Sequence, residues 1–234
     1  MTASRERVLA ALDGVIDPEL DEPITTLRFV SSVEIDSDGD VAIALRLPTP
    51  QCAPNFAFLM AADARNAVHR LPGVRQVTVR LEEHYTGAEI NAALGRGEGF
   101  TAAFPGETVD DDLGALRQLF QRKALIARQA KVCEALLCAG ATVEQVIARR
   151  VGELPDSPEA RRSLQLRAAL GLSSAADAPG FVLPNGEPLA ADQLQRWLRM
   201  ARLVATSLEA NGAICRSLLQ VRHDLAADPE EVAG

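Results

Sequence analysis

The segment Leu47-Pro48-Thr49-Pro50-Gln51-Cys52-Ala53-Pro54 sets one cysteine in a proline-rich loop between an apparent strand and an apparent helix. A helix start offers unpaired backbone N–H groups and a partial positive charge. That setting favours the thiolate, the form that binds metal or meets sulfur electrophiles. Free cysteines are also often plain core residues, so the loop alone leaves both readings open for Cys52. A second residue with ligand chemistry is His84, which follows Glu82 and Glu83 and precedes Glu89. Imidazole beside carboxylates suits iron or zinc. The spacing fits no closed metal motif, and a surface histidine capping the next helix is the plainer alternative.

The elements that must position these residues follow from the apolar pattern. Ser4 can cap a helix from Arg5, with Val8, Leu9, Leu12 and Val15 on its apolar face and Asp17-Pro18 as its stop. Phe29, Val30, Val33 and Ile35 read as a strand, Asp38-Gly39 as a hairpin turn, and Val41, Ile43, Leu45 and Leu47 as a second strand. A helical stripe from Phe56 to Val68 and a third strand through Val77, Val79 and Leu81 complete an α-β-β-α-β order. Thr86 can cap a short helix carrying Ile90 and Leu94, and the glycine-rich residues 95–109 read as a loop or tether.

From Asp110 the composition changes. Asp110, Asp111 and Asp112 suit the start of a long helix running to Gly140. Short helices are expected over 143–150 and 158–170, a small hairpin at Phe181–Gly186, and a last helix over 191–223. The expected fold class is therefore α+β. Residues 1–84 form an α+β domain with a three-stranded sheet, 85–109 a short helix and linker, and 110–234 a mainly α-helical domain. Charge divides in the same place: residues 1–112 carry 9 Lys/Arg against 19 Asp/Glu, while residues 113–223 carry 15 against 9. The four scattered cysteines suggest a reducing compartment, and neither a secretory signal nor a spanning segment is read. A cytoplasmic protein is the expectation.

Three segments of the first domain carry a resemblance. Asp17-Pro18-Glu19-Leu20 is similar to an Asp-Pro-Glu motif, Thr49-Pro50-Gln51-Cys52-Ala53-Pro54 to a Thr-Pro-Gly-Cys-Pro loop, and Leu71-Pro72-Gly73-Val74 to a Leu-Pro-Gly-Val turn. In this order and on this frame they resemble the SufT/PaaD-like family of iron–sulfur assembly factors, domain of unknown function 59. The resemblance implies that Cys52 is the reactive thiol and draws Asp17 and Glu19 to it as ligands or loop-orienting groups. It also implies a role in binding or delivering metal or cluster, or in bridging to client proteins. The chain departs from the family pattern at Asp21 and Arg28, where relatives often carry glycine, at Gln51, where the glycine precedes the cysteine, and at Glu82-Glu83-His84-Tyr85.

In the helical half, Cys133 and Cys138 lie about 140° apart around a helix, so they do not share a face. With Cys215 they read as small core residues. Residues 135–148 have a helix-turn-helix flavour followed by Arg149 and Arg150, but the second helix is short. Arginines of the last helix, including Arg196, Arg199, Arg202, Arg216 and Arg222, could dock an acidic client.

The resulting expectation is an accessory factor in iron–sulfur cluster or metal-centre assembly and not an enzyme, since no nucleophile–base–orienter set, phosphate loop or dinucleotide fingerprint is present. Metal contacts are assigned to Cys52, His84, Asp17 and Glu19, with iron or an iron–sulfur cluster held transiently. The expected partners are a client metalloprotein or the assembly machinery, with a homodimer left open and neither membrane nor nucleic acid expected. The rival readings are a metal-free adaptor and a DNA-binding regulator acting through the basic half.

Overall fold

The computed structural model describes residues 3–106 and 113–225. Ser4 caps α1 (Arg5–Leu12), its side chain accepting from the Arg7 N–H. The helix ends earlier than the Asp17-Pro18 stop suggested. Asp13 forms the C-cap, and the chain then enters a two-residue hairpin, β1 (Ile16–Asp17) paired antiparallel with β2 (Glu22–Pro23). Val8, Leu12 and Val15 are buried as the spacing predicted.

The sheet has the order β3 (Val30–Ile35), β4 (Asp40–Arg46), β5 (Gln76–Glu82), with β3 antiparallel and β5 parallel to the central strand. The β3–β4 turn needs its glycine. Gly39 has φ +86°, and a Cβ there would stand 2.5 Å from the Gly73 carbonyl oxygen. Between β4 and β5 the chain crosses over through α2 (Pro54–His69), the long connection that parallel neighbours require. Along β5, Val77, Val79 and Leu81 are buried while Gln76, Thr78 and Arg80 are exposed, the alternation of a sheet with one covered face. The expected α-β-β-α-β order over the first 84 residues is thus present.

Residues 95–106 are not a tether. α3 (Gly87–Arg96) is followed by α4 (Phe100–Ala103), and Ile90, Ala93, Leu94, Phe100 and Ala103 are buried in the same core as the sheet. Phe100 meets Phe58 of α2 edge-on, with ring centroids 5.5 Å apart. The glycines suggest turns, but burial of Phe100 and Ala103 in this core fixes the segment. The rest of the expected linker, and the proposed Asp110–Asp112 helix start, lie outside the described residues.

The helical half contains α5 (Gly114–Cys138), α6 (Val143–Ala148), a 3₁₀ turn at Val151–Glu153, α7 (Pro158–Ala169) and α8 (Leu194–His223). Thr142 and Gln145 form a reciprocal capping box on α6. The small hairpin is present: the Leu183 N–H donates to the Glu187 carbonyl, and Val182 bridges Pro188.

The described residues divide into two compact units. One is built from the chain up to Leu113 together with the chain from Ala210 onward; the other is Gly114–Glu209. The end of α8 therefore belongs with the sheet. Its Leu219 is 1% exposed in the core that holds Val8, Phe29 and Leu47.

Candidate functional site

Asp17 sits at the tip of the β1–β2 hairpin. Its Oδ1 accepts the backbone N–H groups of Glu19 at 2.8 Å and Leu20 at 3.0 Å, and its carbonyl accepts from Asp21. Pro18 cannot donate a backbone hydrogen bond, so the carboxylate takes the next two N–H groups and fixes the turn. Burial pushes the Asp17 carboxyl up to about 6. The two N–H bonds work against that rise, and the nearby Glu19 and Glu22 add to it. Asp21 closes the turn with φ +55°, and Arg28 stands at φ +60°. These are two of the positions where the family pattern often carries glycine. The third departure, Gln51, keeps an ordinary negative φ, so this loop does not call for glycine there.

The Cys52 loop runs from the end of β4 to the start of α2. The helix begins with Pro54 and has no side-chain cap. The Cys52 N–H donates to the Thr49 carbonyl, and the Thr49 hydroxyl lies 3.6 Å from the Cys52 sulfur. The thiol is half-buried. It lines a cavity of about 70 Å³ together with Asp17, Glu19, Phe29, Met60 and Cys215. That volume admits an ion with a water or two. The structure thus brings three of the four expected residues to one cavity: Cys52, Asp17 and Glu19. Among the described residues, however, no three His, Cys, Asp or Glu side chains converge on one ion-binding point.

His84 holds a different place from the one expected of a ligand. Its Nε2 lies 2.7 Å from the Cys52 carbonyl oxygen, and its Nδ1 faces the Thr86 N–H at 3.3 Å and the Thr86 hydroxyl at 3.1 Å. A carbonyl can only accept, so Nε2 carries the proton and Nδ1 accepts from Thr86. Burial lowers the His84 pKa, against the opposing effect of the Cys52 carbonyl. Both nitrogens of the neutral ring are occupied in tying the Cys52 loop to the end of β5. The neighbouring Tyr85 N–H donates to the Pro50 carbonyl and fastens the same loop again. Beside the loop, Ala53, Asn55, Tyr85, Phe100 and Phe104 line a second, largely apolar pocket of about 420 Å³.

One residue at the cavity was not expected there. Cys215 reads from the sequence as a core residue of the helical half, yet it lies beside Cys52. Its thiol is pushed up to about 11, chiefly by burial and further by Asp17, Cys52 and Glu19, with Arg216 opposing. The signal that could have placed it is the pattern Cys215, Leu219, Arg222, which puts a thiol, an apolar anchor and a cation on one face of the last helix.

An uncharacterized protein of Methanocaldococcus jannaschii is 36% identical over 91 residues, spanning 94% of that protein and 39% of this chain. The model of the iron–sulfur cluster assembly protein family matches residues 5–80. The chain belongs to this family. An Fe-S protein maturation auxiliary factor of Bacillus subtilis, YitW, is 32% identical over 79 residues, covering 76% of YitW and 34% of this chain. An iron-sulfur cluster carrier protein of Mycobacterium leprae is 32% identical over 78 residues, covering 20% of that protein and 33% of this chain. The family role is iron–sulfur protein maturation. The family match contains Asp17, Glu19 and Cys52; His84, Tyr85 and Cys215 lie beyond it.

The helical half gives the earlier alternatives less material. Cys133 is fully buried, with its thiol pushed up to about 11 by burial and by Glu134, whereas Cys138 is exposed. α6 is six residues long, contains no Lys or Arg, and buries Val146. Of the last-helix arginines, Arg202 pairs with Glu134, Arg216 with Glu22, and Arg222 with Glu83. No helix among the described residues is long and apolar enough to cross a membrane.

Proposed function

We propose that this chain is a non-enzymatic accessory factor that takes up iron or an iron–sulfur cluster at Cys52 and passes it to a client metalloprotein. The observation that carries the reading is a half-buried thiol sharing one small cavity with two carboxylates, Asp17 and Glu19. Thiolate is the sulfur form that ligates iron, so the thiol must lose its proton on uptake. A carboxylate beside it can receive that proton or take a place next to the sulfur. Asp17 has one oxygen committed to the turn and the other outside that pair of bonds. His84 acts as a positioning residue: by holding the Cys52 carbonyl it fixes where the sulfur is presented. A loop fastened through its backbone leaves the thiol itself exchangeable, as a donor of cargo requires.

Anaerobic addition of iron and sulfide to the full chain tests this. Visible sulfur-to-iron absorption is expected, together with its loss in Cys52→Ser. Transfer follows if an apo-ferredoxin mixed with the loaded chain gains the cluster. Absence of iron uptake by the wild-type chain overturns the reading. The metal-free adaptor would then stand on the 420 Å³ apolar pocket beside the loop, where Tyr85 is 60% exposed.

A further inference from the structure

Cys215 and Cys52 are far apart in sequence, and only one of them lies in the region matched by the family. Three contacts hold the end of α8 against the elements that carry the site. Leu219 is sunk in the core below the sheet. Arg216 Nη1 donates to Glu22 of β2 at 2.8 Å, two residues from the Asp17–Leu20 turn. Arg222 donates to the Leu47 carbonyl at 3.2 Å and to the Glu83 carboxylate at 2.5 Å, joining the start of the Cys52 loop to the segment that follows β5. The approach is close enough that a Cβ at Gly212 would come within 2.9 Å of a Glu22 carboxylate oxygen. One turn before Leu219, on the same face, this helix delivers Cys215 to the cavity that Cys52 lines.

We propose that Cys215 is the second sulfur donor for the cargo held by Cys52, so that the end of α8 turns a one-cysteine loop into a two-thiolate site. The proposal rests on the reading that Cys52 holds metal. Two thiols bind a divalent ion by forming two metal–sulfur bonds and releasing two protons, with no change in oxidation state. Because no three His, Cys, Asp or Glu side chains are placed to hold one ion among the described residues, the remaining coordination is left to Asp17 or Glu19 on binding, to sulfide, to water or to the client. That incompleteness suits a transferable cargo, since a closed four-ligand site retains its metal.

Anaerobic titration of the full chain with Co²⁺ reads the thiolate count through sulfur-to-cobalt charge-transfer absorption. The wild-type chain is expected to show a two-thiolate band and Cys215→Ser about half of it. Cobalt affinity should fall roughly tenfold or more, because even groups that only orient ligands cost that much when removed. A footprint on the unmutated chain avoids any folding artefact: with Co²⁺ bound, both Cys52 and Cys215 should resist alkylation as mapped by mass spectrometry. Protection of Cys52 alone, with an unchanged band in Cys215→Ser, overturns the second-donor proposal and leaves the Cys52 reading standing. A wild-type chain that shows no thiolate band, or one that survives Cys52→Ser intact, overturns both.

Discussion

The two compact units bury polar side chains for different ends. In Gly114–Glu209 the buried Arg167 and Gln129 bond mainly to backbone, and Arg167 Nη2 also donates to Gln129 Oε1 at 3.4 Å. The Arg167 guanidinium donates to the carbonyls of Ser173, Pro179 and Gly180, and Gln129 accepts from the Val182 N–H while donating to the Val182 carbonyl. Its buried thiol, Cys133, sits among aliphatic side chains. In the unit that carries the sheet, Asp17, Cys52 and Cys215 also leave bulk solvent, but they line a cavity. The contrast separates polar burial that completes a fold from polar burial that keeps donors gathered near an opening.

The largest expected effect breaks the helical side of that contrast. Arg167 is fully buried, and burial lowers its pKa. Arg167→Met removes a costly buried charge, but it also strands three carbonyls at about 1–3 kcal/mol each. A net loss of about 4 kcal/mol is expected. Trp197, the single tryptophan, packs against the core of this unit, so urea unfolding followed by its fluorescence measures the change. A loss below about 1 kcal/mol would show that Arg167 is a passenger.

Next comes the cavity side. The folded pKa of Asp17, about 6, lies above its ordinary value of 3.8. A raised carboxyl stabilises the fold while protonated. Its contribution is therefore complete below pH 3.8 and is lost as pH rises through about 6. The full swing is at most about 3 kcal/mol. Asp17→Asn keeps an oxygen for the Glu19 and Leu20 N–H groups and removes the titration. Measured between pH 4 and pH 7.5, the stability of the variant relative to the wild-type chain should rise by up to that amount, in the absence of metal. Parallel curves would mean that Asp17 is solvated in solution.

Local pattern made the sheet side legible. Strand alternation, the Asp-Gly turn and the Ser4 cap each act within a few residues, and the structure follows them. The strand-to-helix loop presenting Cys52 was legible for the same reason, whereas Asp17-Pro18, which reads as a helix stop, begins the turn of a short hairpin. What stayed hidden depends on distant partners. α4 exists because Phe100 finds Phe58, and no window around residue 100 contains that fact. His84 kept its histidine chemistry but lost its free nitrogens to Cys52 and Thr86, the first of them 32 residues away. Cys215 was grouped with the helical half by position in the chain, whereas Leu219 and Arg222 carry it into the other unit.

His84 sharpens the difference between positioning and ligation. His84→Ala removes one hydrogen bond to a loop carbonyl and part of a buried ring, at about 1–2 kcal/mol. If the ring only positions Cys52, the variant should still bind Co²⁺ with its thiolate band intact but alkylate at Cys52 faster than wild type, because the loop samples more conformations. The buried Cys133 should remain unreactive in both chains. Loss of cobalt absorption with unchanged alkylation would instead make His84 a ligand.

The smallest effect concerns how the end of α8 is fastened. Glu22 and Arg216 are each about a quarter exposed, at 24% and 23% of their side-chain surface. Partial exposure screens the pair, so its coupling should be about 1 kcal/mol or less. A double-mutant cycle with Glu22→Gln and Arg216→Gln isolates that coupling from the cost of each change alone. Stability is the coarse readout, and the cobalt titration is the finer one. Weakening the fastening one residue from Cys215 should lower metal affinity in both single variants and the double by similar factors, since either change breaks the same contact. Cobalt affinity that ignores all three variants would show that Leu219 alone seats the helix and that the ion pair contributes nothing to the placement of the second thiol.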